Sequence, residues 1–289
     1  MAALRIMLDS GAFSVWSRGE VVDIKDYISF CRAHQEVVYY VSLDVLAGSA
    51  KRKGTPTDIE SACKQGWENY QRMLEHLPAN RVIPVFHSSE KLSWLEKYLA
   101  AGVRYMGIGQ LATTDDPAVK VRWLQSLRSL LLNADGTSVV NVHGFGVASL
   151  DLLLAFPWYS VDSTTWAKHA NVWQLLVPRQ TAGKKDYLKT PLVVKLSPRA
   201  AGDWNHVDRL SPLVKQMVLD YLQENDAEVG EYELRKVEKG YKIVKGDYWL
   251  DGKREQIVAT ITNGVKTSQD LRALLNMRFT RAVAKAAGV

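Results

Sequence analysis

The sequence predicts an α/β protein, and within that class a (β/α)8 TIM-like barrel, regular or irregular, with a C-terminal helical and small-sheet extension and no zinc module. Three observations carry this. Short apolar runs alternate with helix-period segments through the first two-thirds of the 289 residues. The runs are rich in Val, Ile and Tyr, as buried strands are. Each run gives way to a polar or glycine residue. Strand–helix alternation implies parallel strands, because a parallel pair needs a crossover that a helix supplies. In a barrel all the strands' carboxyl ends meet at one mouth, where active sites are built.

The expected strands span residues 4–8, 39–43, 81–86, 105–108, 138–142 and 158–161, and the expected helices 58–75, 89–101, 118–132 and 147–155. Ser89 reads as a helix N-cap and Gly102 as a residue just past a helix C-terminus. Beyond Asp162 the pattern weakens. Residues 172–177 and 191–196 are strand-like, and fit either the last two barrel strands or a hairpin near the mouth. Residues 199–205 resemble a linker, so the expected division is a barrel over 1–200 and an extension over 201–289. In the extension, 206–223 reads as a helix. Residues 231–237, 241–244 and 256–261 read as a small antiparallel element turning at Lys239-Gly240. A basic helix follows over 267–287, capped by Thr267 or Ser268.

Composition bounds the function. The chain is 47% hydrophobic and 24% charged, with no run near the roughly 18 apolar residues a spanning helix needs. The apolar part of residues 1–8 is too short for a signal peptide. Cys31 and Cys63 allow at most one disulfide and exclude a cysteine-rich zinc site. A reducing cytoplasm is the expected compartment. The 37 Lys+Arg against 31 Asp+Glu give +6, compatible with a nucleic-acid partner without requiring one. Toward the end Lys266, Arg272, Arg278, Arg281 and Lys285 face only Asp270; a solvated helix face and a phosphate-binding face both fit. His34, His76 and His206 fall on expected helices as surface or core residues. No two histidines have the i,i+4 spacing of a helical metal site, so no metal is expected.

The candidate chemistry lies where the runs end, at Asp9, Asp44, His87, Gly109-Gln110, His143 and Asp162. Asp9 leaves its strand before the small residues Ser10 and Gly11, which let backbone approach a ligand closely; the segment also reads as an Asx turn. Asp162 is bracketed by hydroxyls in Ser160-Val-Asp-Ser-Thr-Thr-Trp166, fitting a nucleophile held ionised or a plain helix N-cap. His143 fits catalysis or a structural hydrogen bond. Two carboxylates facing a sugar suit substitution at an anomeric carbon, one attacking and one moving protons. Spacing does not choose among a glycosidase, a nucleosidase and a glycosyl transferase.

Asp9-Ser-Gly-Ala-Phe13 resembles the Asp-Ser-Gly-Gly-Phe signature of the tRNA-guanine transglycosylases, with alanine for the second glycine. Tyr105-Met-Gly-Ile-Gly-Gln110 resembles their glycine-rich base-binding strand. His143-Gly-Phe-Gly146 resembles their Met-Gly-Val-Gly strand, and Val161-Asp162-Ser163 falls at the Phe-Asp-Cys nucleophile. The motifs agree in order across about residues 4–170. The form around Asp162 looks closer to phage and genomic-island relatives that put 7-deazaguanine bases into DNA.

The resemblance implies base exchange by double displacement. Asp162 would attack C1′ of a guanine nucleotide, and a free 7-deazaguanine such as preQ0 would enter as co-substrate and lose its proton to Asp9. Asp44 matches the aspartate that binds the guanine edge. Ser10, Gly109, Gln110, His143 and Gly144 would complete base recognition. No further cofactor is required. Two departures stand out: His87 replaces a base-contacting glutamine, and the zinc-binding cysteine segment is absent, which argues for DNA over tRNA, the alternative substrate. Free-base dependence would separate exchange from hydrolysis and from a non-catalytic binding subunit.

If DNA lies across the mouth, Lys51, Arg52 and Lys53 on one loop and Lys184 and Lys185 on another suit phosphates; solvated loops are the plainer reading. The target nucleotide would flip out of a duplex, with Phe13, Trp16 or Trp166 filling the gap or stacking on it. His169 is close enough in sequence to Asp162 to reach substrate.

Overall fold

The computed structural model describes residues 6–49, 52–111, 116–147, 149–250 and 252–289. Among the described residues no helix is long and apolar enough to cross a membrane. The chain forms two compact units, residues 1–162 and 163–288. The expected division at 200/201 therefore falls inside the second unit.

In the first unit six parallel strands pair in chain order. They are Met7–Leu8, Tyr39–Val41, Val82–Ile83 resuming after Pro84 as Val85–His87, Tyr105–Gly109, Asn141–Gly144 and Ser160–Val161. Pro84 has no N–H for the ladder, which divides the third strand, but its carbonyl still accepts from the Gly107 N–H at 2.8 Å. Every strand neighbours the next in sequence, so the order never reverses as it does in a doubly wound sheet. The charge of Asp162, after the sixth strand, is among the influences on Asp9, after the first.

Alternation divides the strands into two faces. Phe86, Met106, Ile108 and Val142 are fully buried on one, where Phe86 stacks on Trp123 of the helix Pro117–Ser126 at 6.1 Å. The helices Pro56–Leu74 and Leu92–Ala100 meet through Trp67, Tyr70 and Tyr98. The other face carries Tyr105, Gly107 and Gly109 in register with Asn141, His143 and, on the last strand, Ser160. Buried polar side chains brace the loops at the carboxyl ends. Tyr27 donates to the Val41 carbonyl at 2.7 Å, Asn69 to that of Leu43 at 2.8 Å and Lys120 to that of Leu111 at 2.7 Å. Ser89 does not cap a helix; Lys91 holds that place, and the Ser89 hydroxyl donates to Gln110 instead. Gly102 follows that helix's last residues in the left-handed region, φ 78°, as expected.

The second unit opens with the helix Thr165–Asn171. The strands Gln174–Val177 and Leu192–Lys195 pair with each other antiparallel, which is the hairpin reading rather than two further parallel strands. A smaller ribbon joins Arg179–Thr181 to Lys184–Asp186. Residues 206–211 precede the helix Pro212–Gln223 rather than belonging to it. A three-stranded antiparallel sheet is ordered Glu231–Lys236, Gln256–Thr262, Tyr248–Trp249. The expected strand at 241–244 is exposed loop.

The basic helix is Gln269–Ala286, capped by the Ser268 hydroxyl. Part of its charge faces inward. Arg272 is 1% exposed; it donates to the Ala170 and Val265 carbonyls and lies over Trp173, 4.6 Å from the ring centre. Burial lowers its pKa to about 10. Lys266 pairs with Asp208. Asn276, also fully buried, accepts from Leu176 N–H and donates to the Trp166 and Gln174 carbonyls, joining the helix to the hairpin.

Gly230 and Gly264 cross with their backbones touching. A Cβ on Gly264 would lie 2.3 Å from the Gly230 nitrogen, and neither backbone can yield. Gly264→Ala should therefore lower unfolding stability by about 1–3 kcal/mol. Gly252→Ala, which meets nothing within 4 Å, should stay within about 0.5 kcal/mol of wild type. Denaturant titration of both variants checks this.

Candidate active site

The carboxyl ends of the six strands bring Asp9, Ser10, Asp44, His87, His143 and Asp162 onto the first unit. Around Asp9 the chain forms a turn into a helix. Its carboxylate accepts backbone N–H groups of Ser10 and Gly11, and Gly11, φ 70°, starts the short helix Ala12–Arg18. Burial, then the charges of Asp44 and Asp162, raise the Asp9 pKa above the ordinary aspartate value of 3.8, outweighing those two donors. Asp9 therefore gains a proton more readily than a solvated carboxylate.

Asp162 is held the opposite way. Partial enclosure opposes its charge, but His143 and the Gly146 N–H outweigh it and lower the pKa below 3.8. Gly146 N–H donates to Oδ1 at 2.7 Å, and His143 Nε2 stands 3.5 Å from the same oxygen. Asp162 is not a helix N-cap: Thr164 holds that position, and Ser163 Oγ accepts the Thr165 N–H. The carboxylate remains 54% exposed, open to a reacting partner.

Behind His143 runs a hydrogen-bonded chain. Its Nδ1 lies 2.7 Å from Ser160 Oγ, which lies 2.6 Å from the Tyr105 hydroxyl. A carboxylate only accepts, so His143 Nε2 carries the proton facing Asp162. Nδ1 faces the Ser160 hydroxyl, which in turn faces that of Tyr105. Phe145 packs edge-on to the imidazole at 4.4 Å, in space left by Gly107, where a Cβ would sit 2.3 Å from its ring.

The third group was only half visible in sequence. His87 is 4% exposed; its Nε2 meets Asp44 Oδ2 at 2.9 Å and its Nδ1 meets Glu90 Oε1 at 2.7 Å. Burial works against the imidazolium, but these two carboxylates outweigh it and raise the pKa to about 10. Both ring nitrogens are thus occupied donors. No ring nitrogen of His87 is left for the expected direct base contact; it grips Asp44, whose Oδ1 accepts from Ser10 Oγ at 2.8 Å. Glu90 escaped the sequence reading, although His87-x-x-Glu90 is the spacing that could have found it. Glu90 also accepts from the buried Cys63 thiol, whose pKa burial, first, and then this carboxylate raise to about 12. Gly109 makes room for the cluster, since a Cβ there would meet His87 Cδ2 at 2.6 Å. Gln110 follows in the left-handed region at φ 62°, a conformation costly for a side chain and frequent at functional sites.

Other expected site residues are placed differently. Gly144 faces Val147 and Trp158, with 2.5 and 3.0 Å for an added Cβ, on the sheet face opposite His143. Phe13 is 67% exposed and its ring is 5.9 Å from that of Trp16. Arg52 is engaged by Asp58 at 2.8 Å, Lys53 is exposed, and Lys51 lies outside the described residues. Trp166, His169, Lys184 and Lys185 belong to the second unit. There His169 bonds Gln174 at 2.6 Å, Lys184 is exposed and Lys185 pairs closely with Glu224, which opposes a phosphate role for Lys185. Among the described residues no group of three His, Cys, Asp or Glu side chains is placed to hold a metal.

The His87 bridge predicts a pH signature. Its pKa is higher folded than unfolded, so the stability it brings is full below about 6.5 and is lost as pH rises toward about 10. His87→Gln should lose about 3 kcal/mol or more at neutral pH and should flatten that alkaline slope, as denaturant unfolding from pH 6 to 10 would measure. No family model matches the chain, and no curated protein matches it.

Proposed function

We propose that the chain is a transglycosylase that exchanges guanine in DNA for a free 7-deazaguanine base through a covalent aspartyl–glycosyl intermediate. The observation that carries this reading is the opposed tuning of two carboxylates in one site. Asp162 is held ionised by His143 and the Gly146 N–H, while Asp9 is raised toward protonation. A nucleophile and a proton carrier require that division. The motif resemblance and the sequential parallel strands support it, and they also support closure of the strands into a TIM-like barrel.

In the first step an Asp162 oxygen attacks C1′ as the C1′–N9 bond breaks, and Asp9 gives its proton to the departing guanine. The product is an ester between Asp162 and the sugar. The incoming base then loses its proton to Asp9, its nitrogen attacks C1′, and the C1′–Asp162 bond breaks. Two inversions give net retention, and Asp9 ends protonated as it began. His143 Nε2–H donates to the carboxylate as it leaves, where charge returns to it. Asp44, oriented by Ser10 and His87, presents a carboxylate that suits the paired N–H donors of a guanine edge. The missing zinc cysteines support DNA over tRNA, and the positive net charge suits either polyanion.

The test is release of labelled guanine from DNA and from tRNA, each with and without preQ0. Release from DNA that depends on preQ0, reduced on the order of 10³-fold or more in Asp162→Asn, is expected. Release from tRNA alone would move the substrate, and release indifferent to preQ0 would make the enzyme a hydrolase. No release from either would leave a binding subunit. The pH profile adds a second check. His143→Gln removes a donor that lowers the Asp162 pKa, so the acidic limb of kcat/KM should move to higher pH. Asp44→Asn removes a charge that raises the Asp9 pKa, so the alkaline limb should move to lower pH.

A further inference from the structure

In the second unit, the edge strand Glu231–Lys236 runs into a loop, residues 237–247, that returns to the strand Tyr248–Trp249. Residues 235–245, Arg-Lys-Val-Glu-Lys-Gly-Tyr-Lys-Ile-Val-Lys, carry five cations against one carboxylate, Glu238. Residues 238–246 are all exposed. Arg235 pairs with Glu233. Among the described residues Lys236, Lys239, Lys242 and Lys245 enter no ion pair, nor do Lys253 and Arg254. The last two lie on the turn into the strand Gln256–Thr262, whose first residue pairs with Lys236, so they share that end of the sheet. Proteins usually neutralise such a concentration of like charge when it has no partner, because self-repulsion costs stability.

Apolar groups are set among these cations. Tyr241, Ile243 and Val244 are 36%, 40% and 56% exposed. Trp249 stands edge-on to Tyr241 at 6.2 Å, bracing the ring while leaving part of it open. Between strand and loop lies a groove of about 540 Å³ lined by Arg235, Lys236, Glu238, Lys239, Tyr241 and Ile257, three cations against one carboxylate.

We infer that this basic loop and groove bind a single strand of nucleic acid, the lysines taking successive phosphates and Tyr241 stacking on a base. Charge complementarity selects a polyanion. The interleaved aromatic selects unpaired bases, since a π-face is what a single strand offers and a duplex hides. The concave groove fits a strand, whereas a bilayer surface calls for a convex apolar tip. The inference deepens the proposed reaction, on which it rests for the choice of DNA: a base reached by flipping leaves unpaired nucleotides that a protein must hold.

The test uses the full chain and fluorescence anisotropy, with a labelled 20-nucleotide DNA strand and its duplex as probes over a salt series. The combined variant Lys239→Glu, Lys242→Glu, Lys245→Glu should weaken strand binding at least about tenfold. It should also reduce the log–log salt slope by about 2, near 0.7 for each phosphate no longer neutralised. Tyr241→Ala should weaken strand binding by about 5- to 100-fold and leave duplex binding unchanged. Both variants change exposed residues and should keep the wild-type melting temperature. Unchanged affinity and slope in the triple variant would overturn the inference, as would loss of binding to phosphatidylserine vesicles with DNA binding intact. Guanine release, measured alongside, separates the two proposals. Strand binding through the loop without release would sink the reaction alone. Release from DNA with binding indifferent to the loop variants would sink this inference alone.

Discussion

Three aspartates follow the first, second and sixth parallel strands, the charges of Asp44 and Asp162 act on Asp9, and the arrangement of the site follows from how that repulsion is met. Asp44 is matched by a buried imidazolium, His87, which is itself held from behind by Glu90. Asp162 is matched by a backbone N–H and by His143. Asp9 has only its own turn's N–H groups, and so absorbs the remaining repulsion as a raised pKa. One set of strand ends thereby holds a carboxylate paired with an imidazolium, one whose pKa is lowered and one whose pKa is raised. Small residues make this possible, because Gly107 and Gly109 admit Phe145 and the His87 ring where any Cβ would collide.

The two histidines do different work despite equivalent places at strand ends. His87 is sealed away with both nitrogens donating, so its effect outside the cluster passes through Asp44. His143 faces Asp162 with one nitrogen and, through Ser160, is tied to Tyr105 on the neighbouring strand. That chain fixes the direction of the ring toward the carboxylate.

Strand ends were legible in the sequence because an apolar run stopping at Asp, His or Gly marks both burial and its limit. The cluster of Asp9, Asp44, His87, His143 and Asp162 was found on that signal. Glu90 was not, since a loop residue three past His87 reads as surface until the turn folds it back. Arg272 falls in sequence on a basic face that fits either solvent or phosphate, because helix periodicity says which residues share a side, not what covers it; Trp173 and two carbonyls cover it. The strands at 174–177 and 192–195 look the same in sequence whether they pair with each other or extend a parallel sheet. Pairing partners are a tertiary property, and short apolar runs do not encode them.

The ester between Asp162 and the sugar is the species on which the functional reading depends. The direct measurement is intact-mass spectrometry after acid quench of the protein with a short guanine-containing DNA strand and no incoming base, followed by peptide mapping. An adduct of strand minus guanine on the peptide containing Asp162, absent in Asp162→Asn and discharged by added preQ0, is predicted. Guanine loss with no adduct, or an adduct on Asp9, would contradict the assignment of nucleophile and proton carrier.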